Sequence, residues 1–198
     1  LQNEDGSMIS VVSLAGGSPP SSATGQSLYG SVNTSSTLSS AGTFAFASKV
    51  LGNYGMTVLA DRLKERAEKA WDWADANPNV LWRNNDDASG TKGIGAGQQE
   101  MDDYGRLSSK IRASVYLLEL TQKQKYQDYF LANYEKTNMF EWSNFVFPFQ
   151  YSQLKTLLHY TTISIANSTA KQKILNSYKL GVLKQDQLLS HTNIDDPY

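Results

Sequence analysis

Apolar positions along the chain repeat with the 3.6-residue period of an α-helix in several stretches, and no strand run of any strength interrupts them. The clearest stretch is 56–76. Met56, Leu59, Ala60, Leu63, Ala67, Ala70, Trp71 and Ala74 fall on one face, while Asp61, Arg62, Lys64, Glu65, Glu68, Lys69, Asp72 and Asp75 fill the other. This division predicts an amphipathic outer helix with one wet face. Asn77-Pro78 ends it, because the residue before proline disfavours helical backbone. Upstream, helical order begins near Thr37, and 38–51 (LSSAGTFAFASKVL) carries few charges on any face. That predicts a helix buried on most sides, with small residues letting neighbours approach closely. Further helices are predicted over 104–121 (Tyr104, Leu107, Ile111, Val115 and Leu118 on one stripe) and 123–135 (Tyr126, Tyr129, Phe130, Tyr134). A fifth covers 148–164, with Pro148 in its first turn and Tyr151, Leu154, Leu158 and Ile165 facing inward. The sixth covers 168–189, with Ser168 as N-cap and Ile174, Leu175, Tyr178, Val182 and Leu189 as its buried set.

Between these helices the chain is polar. Leu1–Gly6 reads as the tail of a helix running into an Asp5-Gly6 turn. Residues 6–40 hold no convincing helix; Met8, Val11, Val12 and Leu14 make a short strand at best, and Gly16–Ser22 is loop by composition. A second polar loop covers 79–103. Long and short loops alternate, which fits helical hairpins stacked side by side with the long loops collected on one face. The expected organisation is a single all-α unit over 1–198, mostly loop through residue 37 and helical hairpins over 38–189. Both ends read as cuts through a longer chain.

Composition narrows the function. The chain has 198 residues, 18 Lys+Arg against 19 Asp+Glu, two histidines and no cysteine. That length can bury a substantial core. Near-neutral charge excludes a broad basic face for nucleic acid or an anionic membrane. Without cysteine there is no disulfide scaffold, zinc ribbon or thiol chemistry. Two histidines argue against a histidine-rich metal site, and no apolar run approaches the roughly 18–20 residues that span a bilayer. Charged residues make up 19%, below the usual figure of about 25%, while tyrosine and tryptophan are frequent. That balance is typical of proteins that face carbohydrate.

Several stretches, taken in order, resemble the catalytic module of glycoside hydrolase family 9, a cellulase family with an (α/α)6 barrel. LQNEDGSM at the start is similar to the family's LLKMQNPDGSV. Ser35-Ser36-Thr37 followed by TFAFAS at 43–48 resembles STTATADFAAVMAQA. AEKAWDWADANP at 67–78 is similar to AEKAWDWLKANP, and LTQKQKY at 120–126 resembles ATGDKKY. Trp142 looks like a tryptophan that opens a later helix, and Asp195–Tyr198 resembles the lead-in to YWGSN. The resemblance implies a partial (α/α)6 barrel, an arc of inner and outer helices from the interior of a larger module. It implies hydrolysis of β-1,4-glucan with inversion, secretion from the cell, and self-association through truncated edges. The alternative is a non-catalytic helical carbohydrate-binding or interaction module.

Inversion needs one carboxylic acid to protonate the leaving oxygen and a carboxylate to activate water. The family's DAGD bases lie upstream of this chain and its acid glutamate downstream. The HHR substrate motif is absent too. The resemblance therefore assigns no catalytic residue here, and the chain alone is expected to be inactive, with no cofactor. The family's calcium-holding Asp-Glu pair and following tryptophan fall on Ser108, Ser109 and Arg112, and a further family glutamate falls on Tyr116. Two hydroxyls do not supply the carboxylates of a Ca²⁺ cage, so no metal is expected there.

Among the remaining features, Glu100, Asp102 and Asp103, with Asp86 and Asp87, could be a cation site or carboxylate pair. They read as a solvated loop, with Asp102 or Asp103 capping the next helix. Gly93–Gly97 resembles a phosphate loop by glycine count alone. His159 reads as a packed or surface histidine. The aromatic run Trp142, Phe145, Phe147, Phe149 and Tyr151 is either core or a cleft lining, since sugars stack on aromatic faces. Trp142, Tyr104 and Tyr29 are the candidate substrate contacts.

Overall fold

Asn33 decides where the first helix starts. In this computed structural model, which describes residues 1–13, 28–83, 85–88, 92 and 100–184, the Asn33 side-chain oxygen accepts the backbone N–H of Ser36 at 2.9 Å. That N-cap satisfies an otherwise orphaned donor. Helix α1 therefore runs Thr34–Asn53, several residues earlier than the apolar pattern suggested. Helix α2 is Thr57–Ala76 and α3 is Asp103–Thr121. Asp102 caps α3 by accepting the Gly105 N–H at 2.7 Å.

The chain divides into two compact units, Leu1–Ala113 and Ser114–Tyr198. In the first, α1 and α2 pack as an antiparallel pair whose seam is small. Ala41, Ala45, Ala60, Ala67, Ala70 and Ala74 are all buried, and the Ser48 hydroxyl donates across it to the Ala60 carbonyl at 2.7 Å. Trp71 is the large buried residue of α2, at 3% exposure. Met56 and Leu59, placed on the same stripe by periodicity, are exposed, as is Phe46 on α1. At Gly42 α1 comes close to α3: a Cβ there would lie 3.4 Å from the Ala113 Cα.

Residues 8–13 and 28–33 form an antiparallel ribbon of four two-residue strands, β1 (Met8–Ile9), β2 (Val12–Ser13), β3 (Leu28–Tyr29) and β4 (Val32–Asn33). Met8 pairs with Asn33 and Val12 with Tyr29, so both pairs share one register. The Ser10 N–H to Ser31 oxygen and Gly30 N–H to Val11 oxygen bonds, each 2.8 Å, bridge the gap. This ribbon replaces the loop expected over 6–40. A two-stranded ribbon is marginal alone; here β1 is tied to α1 by the Met8 N–H donating to the Thr37 hydroxyl at 3.0 Å. Leu1–Gly6 is not a helix tail, because Gln2 forms a β-bridge with Met8. The Asp5-Gly6 turn is present: Asp5 accepts the Ser7 N–H at 2.9 Å, and Gly6 has φ +99°.

In the second unit, α4 is Gln124–Asn133, followed by a 3₁₀ turn at Tyr134–Lys136 and the short α5, Asn138–Glu141. After a 3₁₀ turn at Pro148–Gln150 come α6, Tyr151–Thr162, and α7, Ser168–Lys184. The core stacks Phe130 on Tyr160 at 3.7 Å between ring centroids, with Tyr134 stacked on Phe130 at 5.2 Å. Turning Tyr160 inward also buries Leu157, Leu154 and Gln153. Tyr151 and Ile165, expected in this stripe, are 67% and 41% exposed; Ile165 lies beyond the end of the helix. The α7 cap is Asn167 rather than Ser168, its oxygen accepting the Ala170 N–H at 3.0 Å. Ala170, Ile174, Ser177 and Gly181 are the buried positions of α7, and Leu175 is 45% exposed. The loop beside Gly181 explains that choice: a Cβ there would sit 2.3 Å from the Asn144 carbonyl oxygen.

Candidate functional site

In the first unit the polar junction centres on Glu100. Its Oε2 accepts the Asn33 side-chain N–H at 2.8 Å and the backbone N–H of Trp82 at 2.7 Å. Its Oε1 accepts the Ser35 hydroxyl and the Met101 N–H, and the Arg106 guanidinium lies 3.9 Å away. Its side chain is only 13% exposed, so it is not part of a solvated loop. It sits at the α1 N-terminus, where the helix dipole favours negative charge. It also ties the end of the ribbon to the start of α3. Thr34 sews the same helix end to the 77–80 segment, donating its hydroxyl to the Asn77 carbonyl at 2.5 Å and accepting the Val80 N–H at 3.0 Å.

Two candidate sugar contacts hang from this junction. Tyr29 is on β3, 53% exposed. Tyr104 is half-buried in the first turn of α3, whose end Asp102 fixes. Tyr29 lies in the ribbon whose last residue, Asn33, donates to Glu100, and Tyr104 in the helix whose Arg106 approaches it. Asp87 pairs with Lys92 at 3.0 Å in solvent. Gly93–Gly97 lies outside the described residues, as do Gly16–Ser22, Leu14, Leu189, His191 and Asp195–Tyr198.

Ser108, Ser109 and Arg112 present two hydroxyls and a guanidinium rather than carboxylates. The Ser109 hydroxyl lies 3.6 Å from the Met101 sulfur, and Arg112 donates to the Ser39 carbonyl at 3.2 Å. A guanidinium repels a divalent cation. Among the described residues, no cluster of three or more acidic or histidine side chains could hold a metal ion.

The second unit carries Trp142. Its N–H closes α5 on the Asn138 carbonyl at 2.8 Å, and Ser143 and Asn144 then reverse the chain with φ of 56° and 67°. The returning segment lays Phe147 edge-on to Trp142 at 6.1 Å, with Phe145 5.8 Å and Phe149 5.3 Å from Phe147. Tilted aromatic packing of this kind fixes ring orientation. Phe145 and Phe147 are half-buried, whereas Trp142 is 47%, Tyr151 67% and Phe149 89% exposed. The run is therefore half-buried at Phe145 and Phe147 and exposed at Trp142, Phe149 and Tyr151. Alternation in the sequence showed the run but not which rings face out.

His159, which shows no partner along its own helix, pairs with Glu119 of α3 at 2.8 Å, with the Tyr116 ring 5.2 Å away. The three residues tie α3 to α6. Burial raises the Tyr160 hydroxyl above its ordinary pKa, partly opposed by the Asn167 N–H that it accepts at 3.0 Å. Burial also pushes Tyr178 up to about 12. Glu135 is held low by Lys173, 2.6 Å away, and by the Tyr134 hydroxyl.

The sequence profile of Glycosyl hydrolase family 9 matches residues 18–193. No curated protein sequence matches the chain. Among solved structures, GH family 9 endoglucanase J30 superposes with a TM-score of 0.72 at 18% identity, covering 97% of this chain and 34% of its own. A metagenome-derived glycoside hydrolase family 9 endoglucanase gives 0.70 at 18% identity, covering 96% and 33%. A GH9 protein of Bacteroides ovatus gives 0.70 at 17%, covering 96% and 34%. The chain thus spans about a third of the length of the solved structures it matches. The likeness shows the fold, an all-α part of an (α/α)6 barrel.

Proposed function

The chain belongs to glycosyl hydrolase family 9, and on that premise we propose that it is part of an enzyme that hydrolyses β-1,4-glucan of the cellulose class with inversion. The match over 18–193 carries this reading. The chain contributes scaffold helices and part of the wall along which the glucan lies. The proton-transfer carboxylates come from other parts of the module. Trp142, Tyr104 and Tyr29 are the proposed substrate contacts. Their support is exposure: Trp142 and Tyr29 are half exposed, leaving aromatic faces for sugar rings, and Tyr104 is half-buried in the first turn of α3. We further propose that the enzyme is secreted. Among the described residues no helix is long and apolar enough to cross a membrane.

The test is glucan hydrolysis by the whole protein that contains this chain, followed as reducing ends released from a soluble β-1,4-glucan. Trp142→Ala is expected to raise KM or lower kcat while the far-ultraviolet circular dichroism stays unchanged. An inert whole protein would remove the hydrolase reading.

One observation favours a second reading, a non-catalytic carbohydrate-binding module: hydroxyls stand at 108 and 109, where the family resemblance leads to carboxylates, and a guanidinium at 112, where it leads to a tryptophan. Titration of this chain alone with cello-oligosaccharides separates the two. Tight binding supports the module; no binding supports the barrel-wall role.

A further inference from the structure

We propose that the recess between the N-terminal segment and the outer face of α2 binds a carboxylated sugar, a hexuronic acid residue. The recess has a volume of about 530 Å³ and is walled by Gln2, Asn3 and Glu4 on one side and by Arg62, Arg66 and the Glu65–Lys69 pair on the other. The inference rests on its charges and donors alone and stands apart from the glucan reading.

Lys69 and Glu65 neutralise each other at 2.8 Å. What remains is Arg62 and Arg66 against Glu4, an excess of one positive charge. Arg62 and Arg66 are four residues apart on one helix face, a like-charge arrangement that an isolated helix disfavours. Among the described residues Arg62 has no hydrogen-bond or ion-pair partner. Arg66 uses one nitrogen, donating to the Gln2 side-chain oxygen at 3.2 Å. A guanidinium offers five N–H donors in a fixed fork, so both arginines keep donors in hand.

The floor is set in advance. The Gln2 side-chain amide donates to the Gly6 carbonyl at 3.0 Å and to the Arg66 carbonyl at 2.9 Å. With the arginine bond, this leaves Gln2 a single orientation. The ligand class follows from these groups. Planar guanidinium forks match a carboxylate in bidentate geometry. Asn3 and Glu4 offer acceptors for ring hydroxyls. A single excess positive charge suits a monoanion, and Glu4 opposes a multiply charged phosphate.

The experiment is nuclear magnetic resonance of the whole chain, with the arginine side-chain N–H signals followed during titration with glucuronate. Glucose, acetate and inorganic phosphate are titrated in parallel. The expected result is a saturable shift of the Arg62 and Arg66 signals with glucuronate and none with glucose, with acetate weaker than glucuronate. Arg62→Gln, an exposed change with no bond to lose, weakens binding about tenfold, and Lys64→Gln, the same charge change outside the recess, leaves it intact. Phosphate or acetate binding as tightly as glucuronate overturns the assignment, as does equal weakening by both variants or no binding of glucuronate.

Discussion

Glu100 accepts the backbone N–H of Trp82 at 2.7 Å, closing the base of the segment between them with a nearly buried carboxylate. The same carboxylate receives Asn33 and Ser35 from the start of α1. Removing it leaves several buried donors unpaired, and each such donor costs about 1–3 kcal/mol. Glu100→Ala is expected to lower the unfolding free energy by about 3 kcal/mol in a urea titration. A loss under about 1 kcal/mol would mean that water replaces the carboxylate without penalty.

Gly6 meets α2 where no side chain fits. Its φ is +99°, and a Cβ would lie 2.3 Å from the Lys69 carbonyl oxygen. Both the left-handed backbone and the close approach oppose a side chain. Gly6→Ala is therefore expected to cost about 2–4 kcal/mol by the same titration, with Asp5→Asn a milder change because Asp5 is exposed.

The second unit should weaken in alkali. Burial pushes Tyr178 up to about 12 and raises Tyr160 as well, while a free tyrosine titrates near 10. A raised pKa favours the neutral phenol in the folded state. The stability it provides is whole below about pH 10 and is lost as pH climbs toward 12. Chemical denaturation between these limits is expected to show the decline, and Tyr178→Phe to flatten it. An unchanged slope in that variant would contradict the burial argument.

We expect self-association of this chain alone. Tyr54 and Val58 are 81% and 76% exposed, and Met56 and Leu59 join them at the α1–α2 junction. Contiguous apolar surface of this kind marks association sites. Sedimentation velocity is expected to show concentration-dependent species that Val58→Glu reduces. A monomer at all concentrations would contradict this.

Helix α2 was legible because its acidic and basic residues separate cleanly from Ala60, Ala67, Ala70, Trp71 and Ala74. Periodicity could not tell that Met56 and Leu59, on the same stripe, stay exposed. The ribbon was illegible because its strands are two residues each, and Val12 finds Tyr29 only across a long intervening segment. Glu100 read as solvent-facing because Asn33 lies 67 residues away in sequence. In α6 the helix's own periodicity does not carry its inward face, because the deciding contact, Phe130 on Tyr160, is made by a different helix. The aromatic run at 142–151 was visible as chemistry, yet its exposed rings depend on the turn at Ser143 and Asn144. The recess beside α2 gave no sign, since Arg62 and Arg66 look like an ordinary wet face until Gln2 is laid against them.

The most direct measurement follows the anomeric protons of the first product as the whole protein acts on a cello-oligosaccharide. Cleavage that releases the α-anomer first is the predicted result. No cleavage, or release of the β-anomer first, would contradict an inverting glucan hydrolase built around these helices.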